Sequence, residues 1–247
     1  MTSAHKPRIK AAIRLAQDIV RTIYDRRMQP GEHYLSEADG LRAHGVARST
    51  YREAVRFLEF QGVVSVKAGP GGGPVISRPD AANLASTIAL LLQFADAPLR
   101  SVLEARTALE PGMAEAAALH ATDAEIAVMS ADLDEVERTL GDYPTFVVAY
   151  RRYWEHLAQS THNPVLAYLS PALRAIVDSG GFVPDEVYRQ ATLERLRTVH
   201  SAVSDHDGPA AWRAMRDLEL EFHARLTTGY PRQMERVVAW SDLDIEP

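Results

Sequence analysis

The stretch Val46-Ala47-Arg48-Ser49-Thr50-Tyr51-Arg52-Glu53-Ala54-Val55-Arg56-Phe57-Leu58 decides how the first third of this chain is read. Tyr51, Ala54, Val55 and Leu58 recur at i, i+3, i+4 and i+7, the spacing of one buried helical stripe. Arg48, Ser49, Arg52 and Arg56 lie off that stripe. A helix is predicted from about Ser49 to Gln61, closed by Gly62. It presents guanidinium and hydroxyl groups at its amino end. A helix that enters the DNA major groove needs this arrangement: donors at its start reach base edges, and the positive end of the dipole favours phosphate. Two arginines on an arbitrary helix would be solvated surface groups, so the frame around them carries the meaning.

Upstream, Ile13, Ala16, Val20 and Ile23 predict an amphipathic helix from about Lys10 to Arg27, ended by Pro30-Gly31. Leu35-Ser36-Glu37 opens a short second helix that runs to about His44, and Gly45 breaks it. Downstream, Val63-Val64-Ser65-Val66 and Val75-Ile76-Ser77 are β-prone. The connection Lys67-Ala68-Gly69-Pro70-Gly71-Gly72-Gly73-Pro74 is that of a glycine-rich hairpin. A phosphate loop needs Gly-Lys-Ser/Thr opening a helix. Here Gly73 is followed by Pro74-Val75-Ile76, which excludes it; a flexible loop without function is the remaining alternative to a wing. Three helices and a hairpin form a winged helix-turn-helix pattern.

The order Val46 to Val55, then Leu58-Glu59 and Gly62-Val63-Val64, resembles the GntR family of bacterial transcription regulators. Pro30-Gly31, Leu35-Ser36-Glu37-Ala38-Asp39 and Gly45 fall at equivalent places, and Gly69-Pro70-Gly71-Gly72-Gly73 resembles the wing of a FadR-like branch. The resemblance covers about residues 10–78. It implies a dimeric repressor or activator on a short palindrome, with the recognition helix in the major groove and the wing tip in the minor groove. Carried onto this chain, the DNA contacts fall to Arg48, Ser49, Thr50 and Arg52, with Gly69 at the wing tip. Two positions depart from the family. Ala47 stands where a capping Ser is common, which leaves Ser49 as the candidate cap. Ala38 or Asp39 stands where an Arg is common, so one DNA contact is missing.

The charge distribution has the same polarity. Residues 1–80 carry 13 Lys and Arg against 8 Asp and Glu; residues 81–247 carry 14 against 25. All three lysines (Lys6, Lys10 and Lys67) lie in the first part. A basic front on an acidic body suggests that only the front meets a polyanion. Apolar residues make up 46% of the 247 and charged residues 24%, ordinary for a globular chain. No apolar run approaches ~18 residues, which rules out a membrane-spanning helix. Met1 to Lys10 is basic without an apolar segment after it, so no secretory signal of the usual kind is expected. Cysteine is absent, which excludes disulfides, thiolate metal sites and Cys nucleophiles and fits a cytoplasmic protein.

Residues 79–83 are expected to form a joint between a DNA-binding domain over 1–78 and an all-α effector-binding and dimerisation domain over 84–247. Ala- and Leu-rich helical stretches run over about 82–95, 98–120, 123–140, 143–161, 164–178, 184–206, 208–228 and 231–240, broken at Pro98, Asp123, Asp142-Tyr143-Pro144, Asn163-Pro164, Gly180-Gly181, Asp207-Gly208-Pro209 and Tyr230-Pro231. The expected fold is mainly α, a winged helix-turn-helix followed by an antiparallel helical bundle.

Leu103-Glu104-Ala105-Arg106 with Leu109-Glu110-Pro111, and Asn163-Pro164-Val165-Leu166, resemble the helical FCD domain of FadR-like regulators, over about residues 98–228. That resemblance implies a small-molecule effector, often a carboxylate, held in many members through a divalent cation on one Asp and three His. The matching positions here are Tyr150, Trp154, His200 and Leu218, so one ligand of four survives. No metal and no cofactor are expected, and the cavity is expected to be lined by aromatic and aliphatic groups, selecting a carboxylate or a larger apolar acid. His120, His156, His162 and His223 show no ligand spacing. His206 is a possible substitute, because the chain is about four residues short between His200 and Met215. Arg106 either anchors the effector or forms a salt bridge inside the bundle. The effector positions are thus Arg106, Tyr150, Trp154 and His200. A constitutive DNA-binding dimer is the alternative. Catalysis is not expected: there is no Cys, no H-E-x-x-H and no serine in a nucleophile elbow.

Overall fold

A computed structural model describes residues 5–67, 69 and 72–243. The chain is mainly α and folds as two compact units that meet in sequence at Asn83 and Leu84.

The first unit contains α1 (His5–Asp25), α2 (Glu37–His44), α3 (Arg48–Phe60), and the antiparallel strands β1 (Val64–Lys67) and β2 (Gly73–Ile76). Ala12, Leu15, Ala16 and Ile19 of α1 pack with Tyr51, Ala54, Val55 and Leu58 of α3, and Val64 and Ile76 close the core. The stripe of α3 is the one its spacing gives. That of α1 is not: Ile13 and Val20 are about 40% exposed. Apolar residues at 9, 12, 13, 15, 16, 19, 20 and 23 offer two stripes about one residue apart, and periodicity cannot choose between them. Packing against α3 chooses.

Ser36 caps α2, its Oγ accepting from the Asp39 amide, and Gly45 ends the helix at φ +63°. Helix α3 starts one residue earlier than its pattern suggested. Ala47 is the N-cap and makes no side-chain bond, and Ser49 lies inside the helix and does not cap it. The β-hairpin gains a third edge that the sequence did not announce. The amide of Ile76 donates to the Glu32 carbonyl, and the amide of Tyr34 donates to the Pro74 carbonyl. Pro74 has no N–H to offer and contributes its acceptor only.

The second unit holds most of α4 (Ala81–Phe94) and then α5 (Leu99–His120), α6 (Asp123–Arg138), α7 (Tyr143–Gln159), α8 (Pro164–Asp178), α9 (Glu186–Ser204), α10 (Gly208–Gly229) and α11 (Pro231–Met234), with a 3₁₀ turn at Trp240–Asp242. Met113, Met129, Tyr153, Trp154, Leu157, Leu193, Leu196 and Met215 are fully buried in its core. Polar residues cap several helices, Asn163 and Asp207 of them at predicted breaks. Thr122 and Glu125 form a reciprocal capping box at α6, while Asn163, Asp185 and Asp207 accept from first-turn amides of α8, α9 and α10.

The final helix, expected over about 231–240, stops at Met234. The amide of Leu99 donates to the Arg236 carbonyl and that of Val238 to the Ala97 carbonyl. The extended segment thereby supplies an acceptor to the first turn of α5, whose amides lack intrahelical partners. Among the described residues, no helix is long and apolar enough to cross a membrane.

Candidate functional sites

In the first unit the site is the amino end of α3. Arg48, Ser49 and Arg52 are exposed and Thr50 is half-buried, while Tyr51 on the opposite side anchors the helix. Tyr51 meets α2 where Gly40 leaves room: a Cβ on Gly40 would stand 2.3 Å from the tyrosine ring. Its Oη reaches the Leu35 carbonyl at 3.3 Å. Gly40, a residue that sequence reasoning passed over, thus fixes how closely the two helices of the motif approach. Because Ala47 offers no side-chain acceptor, the first-turn amides of α3 stay available to an anion. Glu37, the first residue of α2, binds both arginines. Its Oε1 accepts from Arg48 Nε at 2.5 Å and Arg52 Nε at 3.1 Å, and its Oε2 accepts from Arg52 Nη2 at 3.2 Å. The two guanidiniums hold its carboxyl below the ordinary carboxylate value. At the wing, Lys67 pairs with Gly73 as the last rung of the ladder. Gly69 has φ +102° and its carbonyl accepts from the Gly72 amide at 2.9 Å. Ala68, Pro70 and Gly71 of the expected wing lie outside the described residues.

In the second unit four charged side chains meet inside the bundle. Arg106 and Glu110 come from α5, Arg174 from α8 and Glu219 from α10. Both glutamate side chains are fully buried, and Arg106 and Arg174 are 3% and 8% exposed. Arg106 donates to Glu110 (3.3 Å) and Glu219 (2.9 Å), while Arg174 donates to Glu110 and, at 3.2 Å, to Glu219. Ser170 Oγ also donates to Glu110. The Arg174 guanidinium lies 3.1 Å from the centroid of the Trp154 ring and 3.5 Å from Tyr150 Oη. Burial pushes the Glu110 carboxyl up, but Arg106 and Arg174 outweigh it and hold that carboxyl below its usual value. Burial dominates at Glu219, and with the charge of Glu110 beside it the carboxyl is pushed up to about 7 against the two arginines. Glu219 Oε2, Arg174 Nε and Trp154 Nε1 are buried without a hydrogen-bond partner among the described residues.

Of the four expected effector residues, Arg106, Tyr150 and Trp154 gather at this cluster, and His200 does not. His200 touches Tyr153, which in turn touches Trp154, and burial lowers its pKa. Inside the ring of aromatic side chains lies an ion cluster that the sequence did not announce. For Arg106 the salt bridge is the reading that the geometry gives. His206 Nδ1 lies 2.9 Å from the Ala118 carbonyl. A narrow cleft with about 20 Å³ of cavity, roughly one water, reaches Tyr150 between α9 and α10, with Arg195, Glu221 and Arg225 on its walls. Among the described residues no three His, Asp or Glu side chains are grouped to hold a metal ion.

The FCD domain family matches residues 101–221. The Uxu operon regulator of Haemophilus influenzae is 30% identical over 210 residues, 81% of this chain and 74% of that one. The galactonate operon transcriptional repressor of Escherichia coli is 29% identical over 212 residues, 83% and 90% of the two chains. The chain belongs to the GntR family of transcription regulators. It falls in the FadR-like branch that carries an FCD domain. A Streptococcus agalactiae GntR structure superposes with a TM-score of 0.66 at 22% identity, covering 86% of this chain and 99% of that one, a likeness of fold.

Within this GntR regulator, sequence reasoning missed Arg174 and Glu219. Arg174 left a signal, since it is the one charged residue inside the apolar run Val165–Val177. Glu219 left none. It follows Leu218, the position matched to a family ligand, in a stretch of alternating acids and leucines.

Proposed function

We propose that this GntR-family regulator binds a palindromic DNA operator as a homodimer, and that a small-molecule effector in its helical domain modulates the binding. The observation that carries the reading is the amino end of α3, where Arg48, Ser49 and Arg52 are exposed on a helix whose opposite face is buried. Arg48 and Arg52 face guanine O6 and N7 edges in this reading, Ser49 and Thr50 face phosphate, and Gly69 lets the wing tip approach the minor groove. One recognition helix spans few base pairs, so two related by a two-fold axis read a palindrome. The chain acts in the cytoplasm, without catalysis.

For the effector, the name of the Escherichia coli relative points to a galactonate operon, which supports a hydroxylated carboxylate as the class to try first. Arg174 has an unpartnered Nε and Tyr150 opens on the cleft, so these two and Trp154 form the proposed contact set. Arg106 supports that set from behind through Glu219, and His200 lies one ring further out. The test begins with selection of duplexes from a random library by the intact protein. Affinity for the enriched duplex is then measured with and without a panel of aldonates and larger apolar acids. Enrichment of a palindrome and a ligand-dependent change in affinity are expected. A second reading, a constitutive dimer, is favoured by the closed Arg106–Glu110–Arg174–Glu219 set, whose charged groups already pair with one another. Affinity that no panel member alters would select it.

A further inference from the structure

We propose that Glu37 is a positioning residue for DNA specificity, holding the two reading arginines by their inner edges so that their outer forks face the bases. The proposal rests on the DNA-reading role given above to Arg48 and Arg52.

The choice of nitrogens carries the argument. A guanidinium has five N–H donors in a fixed planar fork. Arg48 gives Glu37 only its Nε–H. Arg52 gives its Nε–H and one N–H of Nη2, the side-on edge. The end-on edge of each arginine, one N–H from each Nη, remains unspent, and both side chains are well exposed, 68% and 57%. An end-on fork is one that can grip guanine O6 and N7 together. A carboxylate that merely blocked the arginines would occupy that edge. Glu37 takes the opposite one.

Two consequences follow for binding. Each arginine has several rotatable bonds, whose ordering on DNA costs conformational entropy. Glu37 orders both before DNA arrives, which favours the sequence that matches the preset geometry. The carboxylate also leaves the trio with a net charge of only +1, which weakens attraction to phosphates in general. The preset geometry raises the ratio of specific to non-specific affinity; the lowered charge weakens both by a common factor. Asp39 sits in the same turn of α2 but pairs with Arg42 and Ser36 instead, so it supplies a control of equal charge.

The experiment uses the full-length protein, a duplex enriched from a random library by the wild type, and a scrambled duplex of the same composition. Glu37→Gln is isosteric and partly exposed, and its melting temperature reports that it stays folded. The expected result is tighter binding to the scrambled duplex, weaker binding to the selected one, and a specificity ratio lower by about tenfold. Asp39→Asn should tighten both by one common factor. In an Arg48→Ala/Arg52→Ala background, Glu37→Gln should no longer change the ratio. An unchanged ratio in the single variant, or the same fall in the double-alanine background, overturns the role of Glu37 while leaving DNA reading intact. Failure of the wild type to enrich any duplex overturns DNA reading itself, and this proposal with it.

Discussion

Glu110 and Glu219 share one buried cluster, yet their surroundings drive their carboxyls apart. Glu110 faces both arginines and Ser170 and is held ionised. Glu219 has one oxygen without a hydrogen-bond partner among the described residues, and burial raises its pKa to about 7. The sign of the linkage is fixed by that difference. A carboxyl raised in the folded state contributes stability that is complete below the ordinary value near 4.5 and is lost as pH rises through about 7. The melting temperature should therefore fall between pH 5 and pH 8, by an amount that corresponds to on the order of a few kcal/mol. Glu219→Gln, neutral at every pH, should flatten that slope in thermal melts, and a slope identical to wild type would show that Glu219 does not titrate there. Glu110 works in the opposite sense, below this window. At the DNA face, Arg48→Ala or Arg52→Ala should each cost about 1–3 kcal/mol on the selected duplex, read by titration at fixed salt. Equal losses on a scrambled duplex would reassign these arginines to phosphate.

The motif depends on how α2 and α3 approach one another. A Cβ at Gly40 would collide with the Tyr51 ring, which is buried in the core of the first unit. Gly40→Ala should therefore separate the two helices and destabilise the first unit by about 1–3 kcal/mol, the range for overpacked cores. Selected-duplex binding should fall with it. Chemical denaturation monitored by tyrosine fluorescence checks this, and a variant as stable as wild type would mean that Tyr51 has another place to go. The α3 stripe was legible because Tyr51, Ala54, Val55 and Leu58 form the only apolar stripe that leaves the polar residues on one side. The α1 stripe was not, since two candidate faces differ by about one residue. The third edge of the sheet was equally hidden: Glu32 and Tyr34 take part through backbone groups, which leave no side-chain pattern.

For the whole molecule, light scattering at micromolar concentration should give twice the 27.3 kDa of one chain, and two chains plus one duplex when the selected duplex is bound. One chain alone, and one chain per duplex in the complex, contradicts the palindrome reading. Protein purified without chelator should carry far less than one equivalent of zinc, nickel or manganese. Tyr is a poor ligand near neutral pH, Trp has only a donor, and Leu has none, so Tyr150, Trp154 and Leu218 leave His200 without partners. About one equivalent of metal, lost on His200→Ala, would show that these helices were matched to the family in the wrong register. The sequence by itself determined the family, the mainly α class, the α3 face and most helix limits, because periodicity, caps and turn residues are local and are written in neighbouring positions. Only the tertiary structure decided that Arg106, Glu110, Arg174 and Glu219, from three helices, would meet and pair with one another. It also decided that Glu37 would hold Arg48 and Arg52 from a separate helix. Each such contact is set by how whole helices pack, and a charged residue in sequence looks the same whether its partner is another helix or water.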